Sequence, residues 1–248
     1  MRKYYTRPCN FHYGNYAKKL INIKKGLPLA GNSSIAFDKV EIFQRKKSNT
    51  DSKIYSLNEI DSLEIEKKNI IKSDLKNVVS KRKNIIGLNF DKPQIMGILN
   101  ITPDSFSDGG LFFKEEEAFT QAELMIKSGA TIIDIGGEST RPGSKIINEK
   151  DEWNRIKKTI FKLKKKFPKM NLSLDTRKSY VMKQGIETGV NLINDVSGLN
   201  FDDRSFNIIN SKKTPFILHH MQGTPDTMQN NPKYDDDILD IYDFFDKK

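Results

Sequence analysis

Asn100, Asp175 and Asn194 each close a short apolar run and open a polar one. The first of these stretches, 95–110, reads Ile-Met-Gly-Ile-Leu-Asn-Ile-Thr-Pro-Asp-Ser-Phe-Ser-Asp-Gly-Gly. An amide oxygen at Asn100 suits a hard cation such as Mg²⁺, which keeps several waters and bridges substrate phosphates. It equally suits a cap on the turn before Thr102-Pro103. A carboxylate at Asp175 beside an amide at Asn194 can pair with a flat heterocycle that offers ring N–H and NH₂ donors next to acceptors. The structural alternative makes Asp175 a helix cap and Asn194 an Asx-turn. Capping does not explain why polar groups finish five successive apolar runs, so recognition is the favoured reading.

The other runs are 131–135, leading into Gly-Gly-Glu-Ser-Thr-Arg-Pro-Gly-Ser; 172–174, leading into Asp-Thr-Arg-Lys; 192–193, leading into Asn-Asp-Val-Ser-Gly; and 215–218, leading into His-His-Met-Gln-Gly-Thr-Pro. Arg141, beside Thr140 and Pro142, could grip a phosphate or carboxylate with two parallel hydrogen bonds, or make an ordinary surface ion pair. His219 and His220 are adjacent on a strand pattern and point to opposite faces, so one lines a pocket and the other packs in the wall.

Between the runs lie helical patterns. Residues 114–128 are rich in Glu and Ala, with Gly129 as the stop. In 149–167, Trp153, Ile156, Ile160, Leu163 and Phe167 recur at spacings of three and four before Pro168. Shorter helices are expected near 179–188, 205–210 and 238–245. Strands alternating with helices imply an α/β fold with a parallel sheet, and a barrel is the leading form because each strand delivers its polar loop to one face.

Charge divides the chain. Residues 1–90 hold 19 Lys and Arg against 8 Asp and Glu, while 91–248 hold 23 against 24, so the net +10 belongs to the first part. We read 1–90 as a basic extension with a lysine-rich linker around 67–83, and 91–248 as the α/β domain. Clustered cations attract polyanions, yet no named nucleic-acid motif is present, and a solvated extension is the favoured reading. Segments 27–31 and 40–43 suggest a small folded unit within it. No apolar stretch is long enough for a membrane helix, no secretory leader is evident, and one cysteine excludes an intramolecular disulfide. A cytoplasmic setting fits. Phosphate-loop, dinucleotide and nucleophile-elbow patterns are absent, which favours positioning and electrostatics over covalent catalysis.

Segments 95–110 and 129–144 closely resemble the two signature segments of the dihydropteroate synthases, and 172–181, 190–199 and 216–225 resemble that family's next three strand ends in order. The resemblance implies a TIM (β/α)₈ barrel enzyme of folate biosynthesis, a target of sulfonamides. It joins p-aminobenzoate to 7,8-dihydropterin-6-ylmethyl diphosphate and releases pyrophosphate. It makes Asn100 the Mg²⁺ ligand, and Thr140, Asp175 and Asn194 pterin contacts. It places Phe106 and Pro142 at the p-aminobenzoate pocket, with Asp104, Asp108 and Arg141 as catalytic groups. His219 stands where the family more often has Met. The resemblance stops after five strands. The family's later segments, which carry further pterin and anion contacts, have no counterpart before Lys248, so an incomplete barrel, inactive or poorly folded alone, is expected. A homodimer is implied for the full-length enzyme. Two rivals are a pterin-binding methyltransferase domain, which has no reason to carry the two signature loops, and a non-catalytic polyanion-binding module.

Overall fold

A computed structural model describes residues 2–46, 49–102, 111–139, 146–224, 227–228 and 231–248, apart from the side chains of 111–114. The chain divides into two units, Met1–Lys83 with Tyr234–Lys248, and Asn84–Lys233. The division differs from the expected 1–90 and 91–248, since the last helical segment groups with the first unit.

In the first unit, β1 (Tyr4–Tyr13), α1 (Gly14–Asn22), β2 (Leu27–Leu29), β3 (Asn32–Arg45) and β4 (Thr50–Ser56) precede a 3₁₀ turn and α2 (Ile65–Val79). The strands form one antiparallel sheet in which β3 pairs with β1, β2 and β4. Its core is built from Tyr4, Phe37, Val40, Ile42, Ile60 and Ile71, with Ile70, Leu75, Val78 and Val79 packed against it. This corrects the reading of 67–83 as a linker. Ile71, Leu75 and Val78 recur at spacings of four and three, which gives α2 an apolar stripe to bury despite its lysines. Part of the basic charge is also engaged: Arg2, Lys3, Arg7, Arg45, Lys46 and Lys72 each face a carboxylate.

The second unit alternates strands and helices: β5 (Met96–Asn100), α3 (Leu111–Lys127), β6 (Ile132–Gly136), α4 (Glu149–Lys166), β7 (Asn171–Asp175), α5 (Ser179–Glu187), β8 (Leu192–Asp195), α6 (Ser205–Lys212) and β9 (Phe216–Leu218). The five strands are parallel and follow one another in sequence order, as expected of a barrel of about five strands that does not close. Alternate residues point to opposite faces. Leu99, Ile133, Ile135, Leu172, Leu174 and Ile193 face the helices, where they meet Ala118, Ala122, Ile156, Ile160, Leu163, Val181 and Met182. The other face carries Ile98, Asp134, Ser173, Asp175 and Asn194. At its N-terminal end Leu88, Ile132 and Leu192 form a small apolar floor, while Ile98 is 64% exposed.

Helix α4 shows how the local sequence fixes an element. Asn148 caps it by accepting from the Asp151 N–H at 2.9 Å, three acids occupy its first turn and three lysines its last, each complementing the helix dipole. The final helix, α7 (Asp237–Lys247), packs within the first unit. Arg45 donates to Asp240 at 2.7 Å and the Tyr5 hydroxyl to Asp243 at 2.9 Å. Burial and Asp243 push that hydroxyl up to about 12, so it stays protonated and a donor.

Gly137 follows β6 where α4 crosses it. A Cβ there would lie 2.9 Å from the Glu152 carbonyl oxygen and 2.9 Å from Ile156 Cγ2. Gly137→Ala must therefore push α4 away from the sheet, and urea unfolding is expected to show a loss of about 1–3 kcal/mol.

Candidate functional site

Parallel pairing sets the site in a row. Asn100 is opposite Gly136, Gly136 opposite Asp175, and Asp175 opposite Asn194. All four stand at the C-terminal ends of their strands, where parallel sheets offer their loops and unpaired groups to ligands. Gly136 leaves a notch between its neighbours: a Cβ there would lie 3.2 Å from Asn100 Oδ1 and 3.4 Å from Asp175 Oδ2. An amide oxygen and a carboxylate oxygen thus border the same small space.

Asp175 neither caps α5 nor accepts a hydrogen bond from any described residue. The N-cap of α5 is Lys178, and the Ser179 N–H is taken by Asp202 at 3.0 Å. Burial raises Asp175 to about 7, helped by the negative charges of Asp134, Glu152, Asp195 and Glu138. A carboxylate so placed gains from any ligand that brings N–H donors. Asn194 is not the Asx-turn residue either. Its neighbour Asp195 makes that turn, accepting from the Ser197 N–H at 2.8 Å, the Ser197 hydroxyl at 2.7 Å and the Leu199 N–H at 3.1 Å. The Asn194 side chain is left facing the pocket.

Asp134 and His219 complete the inner face, and the sequence reading missed Asp134. Asn194 donates from Nδ2 to Asp134 Oδ2 at 2.8 Å, and His219 Nε2 lies 2.6 Å from Asn194 Oδ1. His219 is therefore the pocket-lining member of the histidine pair. Burial pushes the Asp134 carboxyl up, opposed by the Asn194 donor and by nearby His219. Asp134 Oδ1 and the Ser173 hydroxyl are both buried without a hydrogen-bond partner among the described residues. A lone acid inside an otherwise apolar run, Ile-Ile-Asp-Ile, was the available signal, because β6 alternation turns it away from the helices.

Beside the row lies a buried ionic cluster. Glu138 accepts from Arg177 Nε at 2.9 Å, Lys178 Nζ at 2.6 Å and the Ile147 N–H at 3.1 Å. Lys178 Nζ also reaches Glu152 at 2.5 Å, and the Arg177 guanidinium sits 4.2 Å over the Phe201 ring. Burial raises Glu138, but Lys178, the Ile147 N–H and Arg177 outweigh it and hold the group low. Glu152, more deeply buried, is pushed up despite Lys178. The cluster ties residue 138 to residue 147 and both to the start of α5.

Of the sequence-predicted site residues, the structure brings together Asn100, Asp175 and Asn194. Asp104, Phe106, Asp108, Thr140, Arg141 and Pro142 lie outside the described residues. Among the described residues no group of three His, Cys, Asp or Glu converges to hold a metal, and no helix is long and apolar enough to cross a membrane.

Residues 96–248 match the family model described as pterin binding enzyme. The dihydropteroate synthase of Haemophilus influenzae is 42% identical over 161 residues, which are 65% of this chain and 58% of that one. Among solved structures, the Yersinia pestis dihydropteroate synthase with a sulfonamide drug complex superposes with a TM-score of 0.60 at 41% identity, covering 66% of this chain and 60% of that one. The Clostridium difficile enzyme in the presence of pteroic acid gives 0.57 at 40% identity, covering 62% and 56%. The chain thus spans a little over half the length of the relatives it matches.

Two tests follow from the electrostatics. The Asp175 carboxyl titrates near 4 when unfolded and near 7 when folded, so the native state binds the extra proton between those values. Stability is then expected to fall as pH rises from about 4 to about 7, and Asp175→Asn to flatten that slope in urea titrations. Lys178→Met leaves the buried Glu152 carboxyl without its cation and Glu138 with Arg177 alone, and is expected to cost about 3–5 kcal/mol. Adding Glu152→Gln should return part of that loss.

Proposed function

The chain belongs to the pterin-binding enzyme family, and from that premise we propose that its site serves dihydropteroate synthesis. In this reaction the amine of p-aminobenzoate displaces diphosphate from the methylene carbon of a dihydropterin. The observation that carries the reading is the half-buried Asp175 carboxylate, without a donor among the described residues, one strand from the Asn194 amide. A pterin edge has an NH₂ group and a ring N–H to give Asp175, and further donor and acceptor positions for Asn194. Hydrogen bonds from those donors would offset the burial, and the neighbouring negative charge, that hold the Asp175 pKa up.

The chain's part in the chemistry is then to bind and orient. Asp175 and Asn194 hold the ring in the plane of the strand ends, and the Gly136 notch lets its edge approach the sheet. Asn100 borders the same notch with an amide oxygen, a hard donor that fits Mg²⁺. The diphosphate and water would supply remaining ligands to such an ion. When bound, the ion would neutralise charge on the departing diphosphate. On the family resemblance, Thr140 also contacts the pterin, and Phe106 and Pro142 bound the p-aminobenzoate pocket. On the same resemblance, Asp104, Asp108 and Arg141 attend the reacting centre. The Glu138 cluster supports this arrangement by holding residues on either side of 140–145 in place.

Isothermal titration with 6-hydroxymethylpterin tests the reading. Wild-type chain is expected to bind. Asp175→Asn, which puts an NH₂ where acceptors are needed, should weaken binding roughly 10- to 100-fold, the loss typical of a hydrogen bond to a charged group. Equal binding by wild type and variant would refute the role of Asp175.

A further inference from the structure

We propose that His219 is a positioning residue that fixes which way round the Asn194 amide faces, and so which hydrogen-bond pattern the pocket shows to a flat heterocycle. The inference rests on the pterin reading of the site but is decided by a separate observation. Three side chains from three elements form one chain of contacts: Asp134 on β6, Asn194 on β8 and His219 just after β9.

An amide has two nearly isosteric ends of opposite hydrogen-bonding sense, so its orientation is set by its neighbours. Two arrangements of this trio are self-consistent. In the first, Asp134 is ionised and accepts from Nδ2, so Oδ1 faces His219, whose Nε2 must carry the proton. In the second, every sense is reversed: Asp134 is protonated and donates, the amide NH₂ faces His219, and Nε2 must be the bare nitrogen. Asp134 cannot donate to Oδ1 while His219 also donates to it from the opposite side. One proton on His219 Nε2 therefore selects the first arrangement. In that state Asn194 retains one free Nδ2–H and one free lone pair on Oδ1, each at a fixed position. Asp175, its register partner, presents acceptors alone once ionised. The row then reads acceptor, donor and acceptor from fixed atoms, which a freely turning amide would not maintain.

His219→Met keeps similar bulk without a donor, whereas His219→Gln retains an N–H within reach. In 6-hydroxymethylpterin titrations, His219→Met is expected to weaken binding about 10-fold and His219→Gln to recover most of that loss. In the ligand-free protein, long-range ¹H–¹⁵N spectra of labelled histidine are expected to show the Nε2–H tautomer of His219. The Asn194 Nδ2–H donated to Asp134 should be protected from exchange in wild type and lose that protection in His219→Met. A bare Nε2, or an unprotected Asn194 amide in wild type, overturns the proposal. So does His219→Met binding pterin like wild type. If wild type and Asp175→Asn both fail to bind the pterin, the pterin reading falls instead. The tautomer and exchange measurements then still decide whether His219 orients Asn194.

Discussion

The in-register parallel pairing of β5, β6, β7 and β8 is the constraint on which the rest depends. It places Asn100, Gly136, Asp175 and Asn194 opposite one another, and a slip of one residue on any strand would turn its polar end group into the helix layer. The register is held by the apolar face. Ile133, Ile135, Leu172 and Leu174 are fully buried beneath α4 and α5, and moving them outward would remove roughly 1.5–3 kcal/mol of burial for each side chain. Packing on one face thereby positions chemistry on the other.

The acids on and beside these strand ends follow a different rule. Asp134, Asp175 and Asp195 are each pushed up by burial, which means the fold holds acids where their charged forms are disfavoured. The three are treated unequally. Asp195 receives three donors from its own turn, and Asp134 receives one from Asn194. Asp175 receives none from the described residues. A gradient of satisfaction across neighbouring carboxylates marks the one that a ligand would complete, and it distinguishes Asp175 from the others without reference to any relative.

How far this was readable in the sequence depends on the kind of interaction. The five strands, their order and the helices between them followed from alternation of apolar runs, because local patterning and burial agree there. Trp153, Ile156, Ile160 and Leu163 all proved buried. The roles of Asp175 and Asn194 were open between capping and recognition, and the structure gives the local hydrogen bonds to other residues: Asp202 takes the Ser179 N–H at the start of α5, and Asp195 makes the turn after β8. Asp134 was passed over since it sits mid-strand among isoleucines, where its meaning depends on a partner 60 residues away. The lysine-rich stretch misled for the converse reason. Lysine charge dominated its composition, but Ile71, Leu75 and Val78 decided its structure by giving α2 a face to bury.

The ionic cluster around Glu138 shows why such a site needs more than its contact residues. Glu138 and Glu152 with Arg177 and Lys178 balance in charge, and all four are nearly sealed from solvent. Exchanging them together for apolar groups would often stabilise a fold, so net stability is a weak reason for their presence. What an apolar replacement could not do is hold the Ile147 N–H and the start of α5 to one point while leaving the adjacent Asp175 in a negative field. Glu138 and Glu152 both contribute to the upward shift of Asp175, so the tie between residues 138 and 147 and the poise of the Asp175 carboxyl share the same two acids. A substitution that neutralises either acid therefore acts on position and on proton affinity at once.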